Sequence, residues 1–127
     1  MRFPSTERDG WRLDDGEERH AEAPETFWIP SPEAREGLYP GCLAKLIFRL
    51  ETPNGDEVER MWVVVTDRIE SGEYLGVLDN TPCSEAGPGR LEPGFELPFE
   101  PYHVIDIRDP NDYSMAVARA EPVRRWA

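Results

Sequence analysis

The sequence predicts a mainly β (α+β) protein: a small curved antiparallel sheet or open barrel of five to six strands, with one or two short helices. Two observations favour this class. Short segments alternate apolar and polar residues with the period of a half-buried strand. Turn sequences rich in Gly, Pro, Asn and Asp separate them about every 8–12 residues. The length of 127 residues suits one domain.

Composition divides the chain into three regions. Residues 1–25 are acidic and hold no sustained period, so we expect an extended or partly mobile N-terminal arm, with a short strand as an option at Gly10–Asp14. Residues 26–107 carry the apolar runs and are predicted to form the β-rich core domain. Residues 108–127 form a C-terminal tail that could contain a short helix starting at Asp109-Pro110.

The core is expected to begin with a short helix. Ser31 can cap a free backbone N–H, Pro32 suits the first helical position, and Gly37 should end the helix within two turns. The turn Leu38–Gly41 then leads into the first strand, residues 42–50. One face of that strand is apolar, whereas the other is mixed and expected to be half-exposed. The apolar face carries Cys42, Ala44, Leu46, Phe48 and Leu50.

Asn54-Gly55 predicts a hairpin into a strand over Glu57–Thr66, since both turn residues tolerate positive φ. This strand is the most hydrophobic part of the chain. We expect it to be a central strand, or one whose outer face is shielded by the N-terminal arm, with Trp62 as the core anchor. The other tryptophans, Trp11, Trp28 and Trp126, lie in flanking segments and either dock on the core or serve an interface.

The later strands are shorter. A strand over Glu73–Leu78 contains Gly76, which indicates a bulge or a close backbone approach. Residues 83–90 are predicted to be a loop, and its Gly87–Arg90 run lacks the strand and helix that flank a phosphate cradle. In residues 95–100, Pro98 favours an edge strand. His103–Ile107 is the last predicted core strand.

Charge and hydropathy narrow the function classes. The net charge of −12 disfavours nucleic-acid binding, because an acidic surface repels phosphate, and it favours a basic protein partner. No apolar run approaches the roughly 18 residues of a membrane helix, so no membrane association is expected. The N-terminus lacks the apolar block of a signal peptide. We therefore expect a cytoplasmic protein with reduced cysteines.

The sequence contains no motif for a reaction or a metal. Its two histidines, His20 and His103, have neither cysteine nearby in sequence, and no His or Cys pair has metal-ligand spacing. We predict no catalytic residue, no metal and no cofactor. A polar turn near an aromatic side chain either has a structural role or forms a binding site, because this composition is common in ligand sites. We predict a binding site on this basis. Its residues are Arg60, Trp62, Asp79, Asn80 and His103.

Several motifs occur in the order found in one family. They are Ala44-Lys45-Leu46-Ile47-Phe48, Glu59-Arg60-Met61-Trp62-Val63, Tyr74-x-Gly-x-Leu78-x-Asn80-x-Pro82 and Val104-Ile105-Asp106. Over about residues 26–107 the chain resembles the YegJ-type family of bacterial domains of unknown function. It departs where that family often has Gly-Asp, since Gly41-Cys42 and Gly94-Phe95 stand there instead. The resemblance implies a small β-rich domain and supplies no reaction.

Three functional hypotheses follow. The first is a non-enzymatic binding module, such as an immunity-type protein that neutralises a toxin, whose acidic surface meets a basic protein partner. The second is a small-ligand or hydrolytic site near Trp62, Asn80 and His103. The third is a structural homodimer module.

Overall fold

The computed structural model describes residues 1–83 and 90–127. Within these residues, six antiparallel strands form a curled half-barrel sheet accompanied by four short α-helices, which confirms the predicted fold class with more helices than expected. The strands are β1 (Trp11–Leu13), β2 (Leu43–Thr52), β3 (Gly55–Arg68), β4 (Tyr74–Leu78), β5 (Glu96–Phe99) and β6 (Val104–Arg108). The helices are α1 (Thr6–Asp9), α2 (Gly16–Glu22), α3 (Pro32–Glu36) and α4 (Asp112–Arg119), and a 3-10 helix covers Pro101–His103.

Strand β2 is the hub of the sheet. The strand order is β1-β2-β3-β4-β5, and β6 pairs with β2 as well. Strand β3 covers one edge of β2 over its full length. The other edge is shared, because β6 pairs with Leu43–Leu46 and β1 pairs with Phe48–Leu50. Both edges of β2 are therefore hydrogen-bonded.

The hairpin between β2 and β3 forms where Asn54-Gly55 predicts it. Gly55 has φ of 105° and pairs with Thr52. The Thr52 hydroxyl donates to the Gly55 carbonyl at 2.7 Å and accepts from the Asn54 N–H at 3.2 Å. This local network fixes the register of the nine residue pairs that follow.

Gly76 confirms the predicted close approach. A Cβ there would lie 2.4 Å from Cγ1 of Val63 and 2.8 Å from the Val64 carbonyl oxygen. The register between β3 and β4 shifts just beyond this point, between Val65 and Asp67. The missing side chain therefore lets β4 close onto β3 beside a bulge.

The sheet buries apolar side chains on both faces. The main core contains the predicted apolar face of β2, and it is lined from β3 by Met61, Val63 and Val65. On the outer face, Leu43, Val64 and Val77 pack under Val117 of α4. The expectation that the second face of β2 is half-exposed was wrong for its apolar residues, because Leu43 and Ile47 are buried.

The prediction of Trp62 as the core anchor was wrong. The register turns Trp62 to the outer face, where it is half-buried beside the residues under α4. The tryptophan of the main core is Trp11, which is 3% exposed. Its ring lies 5.7 Å from that of Phe48 and 6.0 Å from that of Trp126, so both chain ends dock on the core through aromatic contacts.

The N-terminal segment is not extended. Its residues form α1, β1 and α2, and β1 confirms the optional strand near Gly10–Asp14. Short polar caps start the helices: Ser5 accepts from the Arg8 N–H, and Asp15 accepts from the Glu18 N–H. Asp14 then joins the segment to β2 through two hydrogen bonds from Arg49, at 2.8 and 3.0 Å.

The remaining elements follow the sequence with small shifts. Helix α3 has the predicted Ser31 cap, and Gly37 ends it. Among the described strands, β5 pairs with β4 alone, which agrees with the edge position that Pro98 predicts. The C-terminal tail runs beside the other edge of β5, where Phe95 and Arg124 form an isolated bridge. Helix α4 begins later than Asp109-Pro110, because Asn111 provides the cap. Most of the predicted loop 83–90, and with it Gly87–Gly89, lies outside the described residues.

No helix in the described part of the chain is both long enough and apolar enough to cross a membrane.

Trp11→Ala is expected to lower the free energy of unfolding by about 3–5 kcal/mol, since it leaves a cavity in the main core. Trp62→Ala should cost clearly less, because that ring is half-buried on the outer face. Urea unfolding measures both, and the exposed Trp28→Ala is the control, expected within about 0.5 kcal/mol of wild type. A larger loss for Trp62→Ala than for Trp11→Ala would contradict this packing.

Candidate functional site

Three of the five predicted binding residues meet where β4 ends. The Asp79 N–H donates to the Trp62 carbonyl at 2.9 Å, and the Asn80 side-chain oxygen accepts from the Trp62 N–H at 2.6 Å. The Asn80 side chain therefore takes the place of a backbone partner for β3 at the point where the β4 backbone leaves the sheet. The partner of this side chain lies 18 residues earlier in the sequence and not in the turn that contains Asn80.

Two cations lie near Trp62, and the adjacent Asp79 is bonded to α4. The Arg108 Cζ lies 4.7 Å and the Lys45 Nζ lies 5.5 Å from the centre of the indole ring. The Tyr113 hydroxyl of α4 donates to Asp79 at 2.7 Å, and this bond raises the pKa of Tyr113. The bond from Tyr113 to Asp79 holds α4 against the sheet at this point.

Arg60 and His103 have other partners. The Arg60 Cζ lies 5.1 Å from the ring centre of Phe27, in the segment before α3. His103 lies in the 3-10 helix, 6% exposed, with its ring 4.3 Å from that of Tyr102 and 6.3 Å from that of Phe3. The structure therefore joins Trp62 to Asp79 and Asn80 and gives His103 separate surroundings.

Burial decides the state of His103. It lowers the pKa of His103 to about 4, although the charges of Asp15 and Asp14 oppose the shift. The imidazole is therefore neutral near pH 7. Its Nδ1 accepts the Glu100 N–H at 2.9 Å, so this nitrogen is already occupied by the backbone.

A different surface collects exposed acids around α2, α3 and the 3-10 helix. Both α-helices pack against the 3-10 helix, which brings them together. Residues 14–36 carry eight acids and only two bases, Arg19 and Arg35. We call this surface the acidic face. Its members are the exposed Glu17, Glu18, Glu22, Glu25, Glu33 and Glu36 and the half-buried Asp15 and Glu100.

The buried Arg35 holds the acidic face together. It is 3% exposed, and its guanidinium donates to the Pro30 carbonyl at 2.9 Å, the Pro101 carbonyl at 3.2 Å and Glu17 at 2.6 Å. Its own carbonyl accepts the Tyr74 hydroxyl at 2.7 Å. One residue thus links α2, α3, the 3-10 helix and β4.

Two aromatic side chains stand out on this surface. Trp28, in the segment between α2 and α3, is 69% exposed, and Tyr102 of the 3-10 helix is 38% exposed. Burial of its ring raises the pKa of Tyr102, and the charges of Glu100 and Asp15 add to the shift. Sequence reasoning missed this face because it treated residues 1–25 as an arm; the run of acids flanking Trp28 was the available signal.

In the described residues, no group of three or more His, Cys, Asp or Glu side chains could hold a metal ion. The two cysteines are free thiols, Cys42 buried and Cys83 exposed.

Comparison with known proteins identifies no relative: no family model, curated protein or solved structure matches this chain.

The buried His103 should make the free energy of unfolding fall at acidic pH. Its folded pKa of about 4 lies below the usual 6.5, so the unfolded chain takes up a proton first as the pH falls. The free energy of unfolding is therefore unaffected by His103 above about pH 6.5. Between about pH 6.5 and pH 4, protonation of His103 in the unfolded chain lowers it by on the order of 3 kcal/mol. His103→Gln, which keeps an acceptor, should flatten this part of the profile of unfolding free energy against pH. Equal slopes for the two proteins in urea unfolding would show that His103 is not the titrating group.

Replacing the two partners of the ion pair between Arg35 and Glu17 should have unequal effects on stability. Arg35→Gln should lower the free energy of unfolding by about 2–3 kcal/mol, because buried carbonyls lose charged donors. Glu17→Gln should cost less than about 1 kcal/mol, since position 17 is half-exposed and the amide oxygen that replaces the carboxylate can still accept from Arg35. Thermal and urea unfolding of both variants measure the difference, and equal losses would contradict the proposed role of Arg35.

Proposed function

We propose that this protein is a non-enzymatic interaction module whose acidic face binds a basic protein partner. The observation that carries the proposal is the exposed Trp28 among the acids of α2 and α3. Exposed aromatics are enriched at the centres of protein interfaces, and surrounding charges steer a partner of opposite sign. One form of this function is an immunity-type protein that neutralises a basic toxin in the cytoplasm.

The rigidity of the face supports the proposal. Arg35 ties α2 and α3 to the 3-10 helix, so the acids are presented on a fixed scaffold. A preformed surface loses little conformational entropy when a partner docks. The net charge of −12 speaks against a polyanionic partner.

The alternatives have less support. A hydrolytic site near Trp62, Asn80 and His103 would need these residues to converge, whereas His103 packs against Tyr102 and Phe3. A homodimer through Trp28 would bring two acidic faces together, and like charges disfavour that contact. Membership of the YegJ-type family is also a proposal, carried by the motifs quoted above, and it adds no reaction.

The acidic face can be tested with matched variants. Proteins from the source cell are captured on the purified full chain, identified by mass spectrometry, expressed, and measured for direct binding by calorimetry. We expect the captured partner to be basic. Trp28→Ala should weaken its binding by about tenfold or more, and so should the double variant Glu18→Lys with Glu22→Lys. Added salt should also weaken the binding.

The control pair is Asp56→Lys with Glu57→Lys, which makes the same charge change on the exposed β2–β3 hairpin. It should leave the affinity within about twofold of wild type. Equal losses in the two charge-reversed pairs, or an undiminished affinity in Trp28→Ala, would overturn the proposal.

A further inference from the structure

A groove of about 470 Å³ lies where the two ends of the chain meet. It is bounded by α1, the start of β1, the segment leading into β5 and the C-terminal residues. Five of the chain's 14 basic side chains line it, although the net charge of the protein is −12. These are Arg2, Arg8, Arg90, Arg124 and Arg125, and we call the cavity the arginine groove.

Four acids also line the groove, and three of them contact its arginines. Asp9 accepts two hydrogen bonds from Arg2, at 2.8 and 2.9 Å, and Arg2 holds the pKa of Asp9 below its usual range. The buried Glu96 accepts from the Trp126 N–H at 3.0 Å and from Arg125 at 3.4 Å. Arg2 also donates to the Ala127 carbonyl at 3.0 Å, and Arg125 also donates to Glu121 at 2.5 Å. Because a guanidinium carries five N–H groups, each of these arginines still has donors left for a ligand. The other two acids are Glu7 and Glu51, of which Glu51 lies 3.9 Å from Arg90.

The groove also offers aromatic surface. The Arg2 Cζ lies 4.2 Å from the ring centre of Trp126, and the Arg124 Cζ lies 5.2 Å from that of Phe95. Trp11 packs edge-on against Trp126. A guanidinium stacked on a ring lies parallel to it and directs its N–H groups outward from the stack. Forked donors and apolar ring surface therefore occur side by side.

Both chain ends are fastened, so the groove is built by the fold. The Val123 N–H donates to the Gly94 carbonyl and the Glu96 N–H donates to the Arg124 carbonyl, each at 2.9 Å. The Trp126 indole N–H then donates to the Arg2 carbonyl at 3.1 Å. The last residues of the chain are thereby attached both to β5 and to the first residues.

We propose that the arginine groove binds a small organic anion, one that joins a phosphate or carboxylate group to a planar apolar body. The forked geometry of arginine matches both oxyanions, and the rings of Trp126 and Phe95 suit the apolar part. The volume falls within the range of roughly 300–1,000 Å³ that is usual for small-molecule sites. A polymeric polyanion is disfavoured, because the rest of the surface is acidic.

The four indole N–H groups provide a direct assay. Two of them, in Trp11 and Trp126, line the groove, whereas Trp28 and Trp62 lie elsewhere. In ¹H–¹⁵N spectra of the full chain, phenyl phosphate or benzoate should shift the Trp11 and Trp126 signals and leave those of Trp28 and Trp62 in place. Comparing the two probes distinguishes phosphate from carboxylate, and inorganic phosphate and phenol each test one half of the ligand. Unchanged Trp11 and Trp126 signals at millimolar concentrations of both probes would overturn the proposal.

Paired variants test the role of the arginines. Arg8 and Arg90 are both exposed. The double variant Arg8→Gln with Arg90→Gln should lower the affinity for the more tightly bound probe by about tenfold or more, because charged hydrogen bonds are lost. Arg12→Gln with Arg119→Gln makes the same charge change outside the groove and should leave the affinity nearly unchanged. In the wild-type protein, added sodium chloride should weaken binding by screening. Equal affinities of the two variant pairs, or binding that ignores salt, would count against an anion site.

Discussion

The structure depends on one constraint: β2 is hydrogen-bonded along both edges and buries apolar side chains on both faces. Strand β3 takes one edge, and β6 and β1 divide the other. Because backbone groups buried in a sheet need partners, segments far apart in sequence must return to this strand. The N-terminal segment returns as β1 and the late core returns as β6. The curl of the half-barrel follows, since β5 passes directly through the 3-10 helix into β6.

The two faces of the sheet are closed by different means. The inner face packs side chains from all parts of the sheet around Phe48, Tyr74 and Phe99. The outer face is covered more thinly by α4, which packs on Leu43, Val64 and Val77 and is held by the bond from Tyr113 to Asp79. Of the predicted binding residues, Asp79 thus helps to attach a helix. Polar groups beside an aromatic ring are equally what a helix clamp on a sheet requires.

Charge is distributed unevenly over the molecule. Acids gather on α2 and α3, held in place by the buried Arg35, whereas arginines from both chain ends gather around the groove beside Trp126. The two surfaces gather charged groups of opposite sign, and each combines charge with aromatic side chains. In the two proposals made above, the basic partner and the small anion would therefore bind to separate surfaces.

Local chemistry in the sequence determined the β2–β3 hairpin, the cap of α3, the edge position of β5 and the close approach at Gly76. Each of these depends on the conformational limits of Ser, Pro, Gly or Asn and their immediate neighbours, so a short window of sequence contains the cause. Alternation also identified the inner face of β2.

Tertiary structure alone decided which tryptophan enters the core, because Met61 and Trp62 alternate and either register buries an apolar side chain. It also decided that the first 25 residues pack, through a three-residue strand too short to predict with certainty. Most of all, it brought together arginines from positions 2, 8, 90, 124 and 125. Their proximity comes from long-range strand pairing, and no local sequence pattern records where distant segments meet.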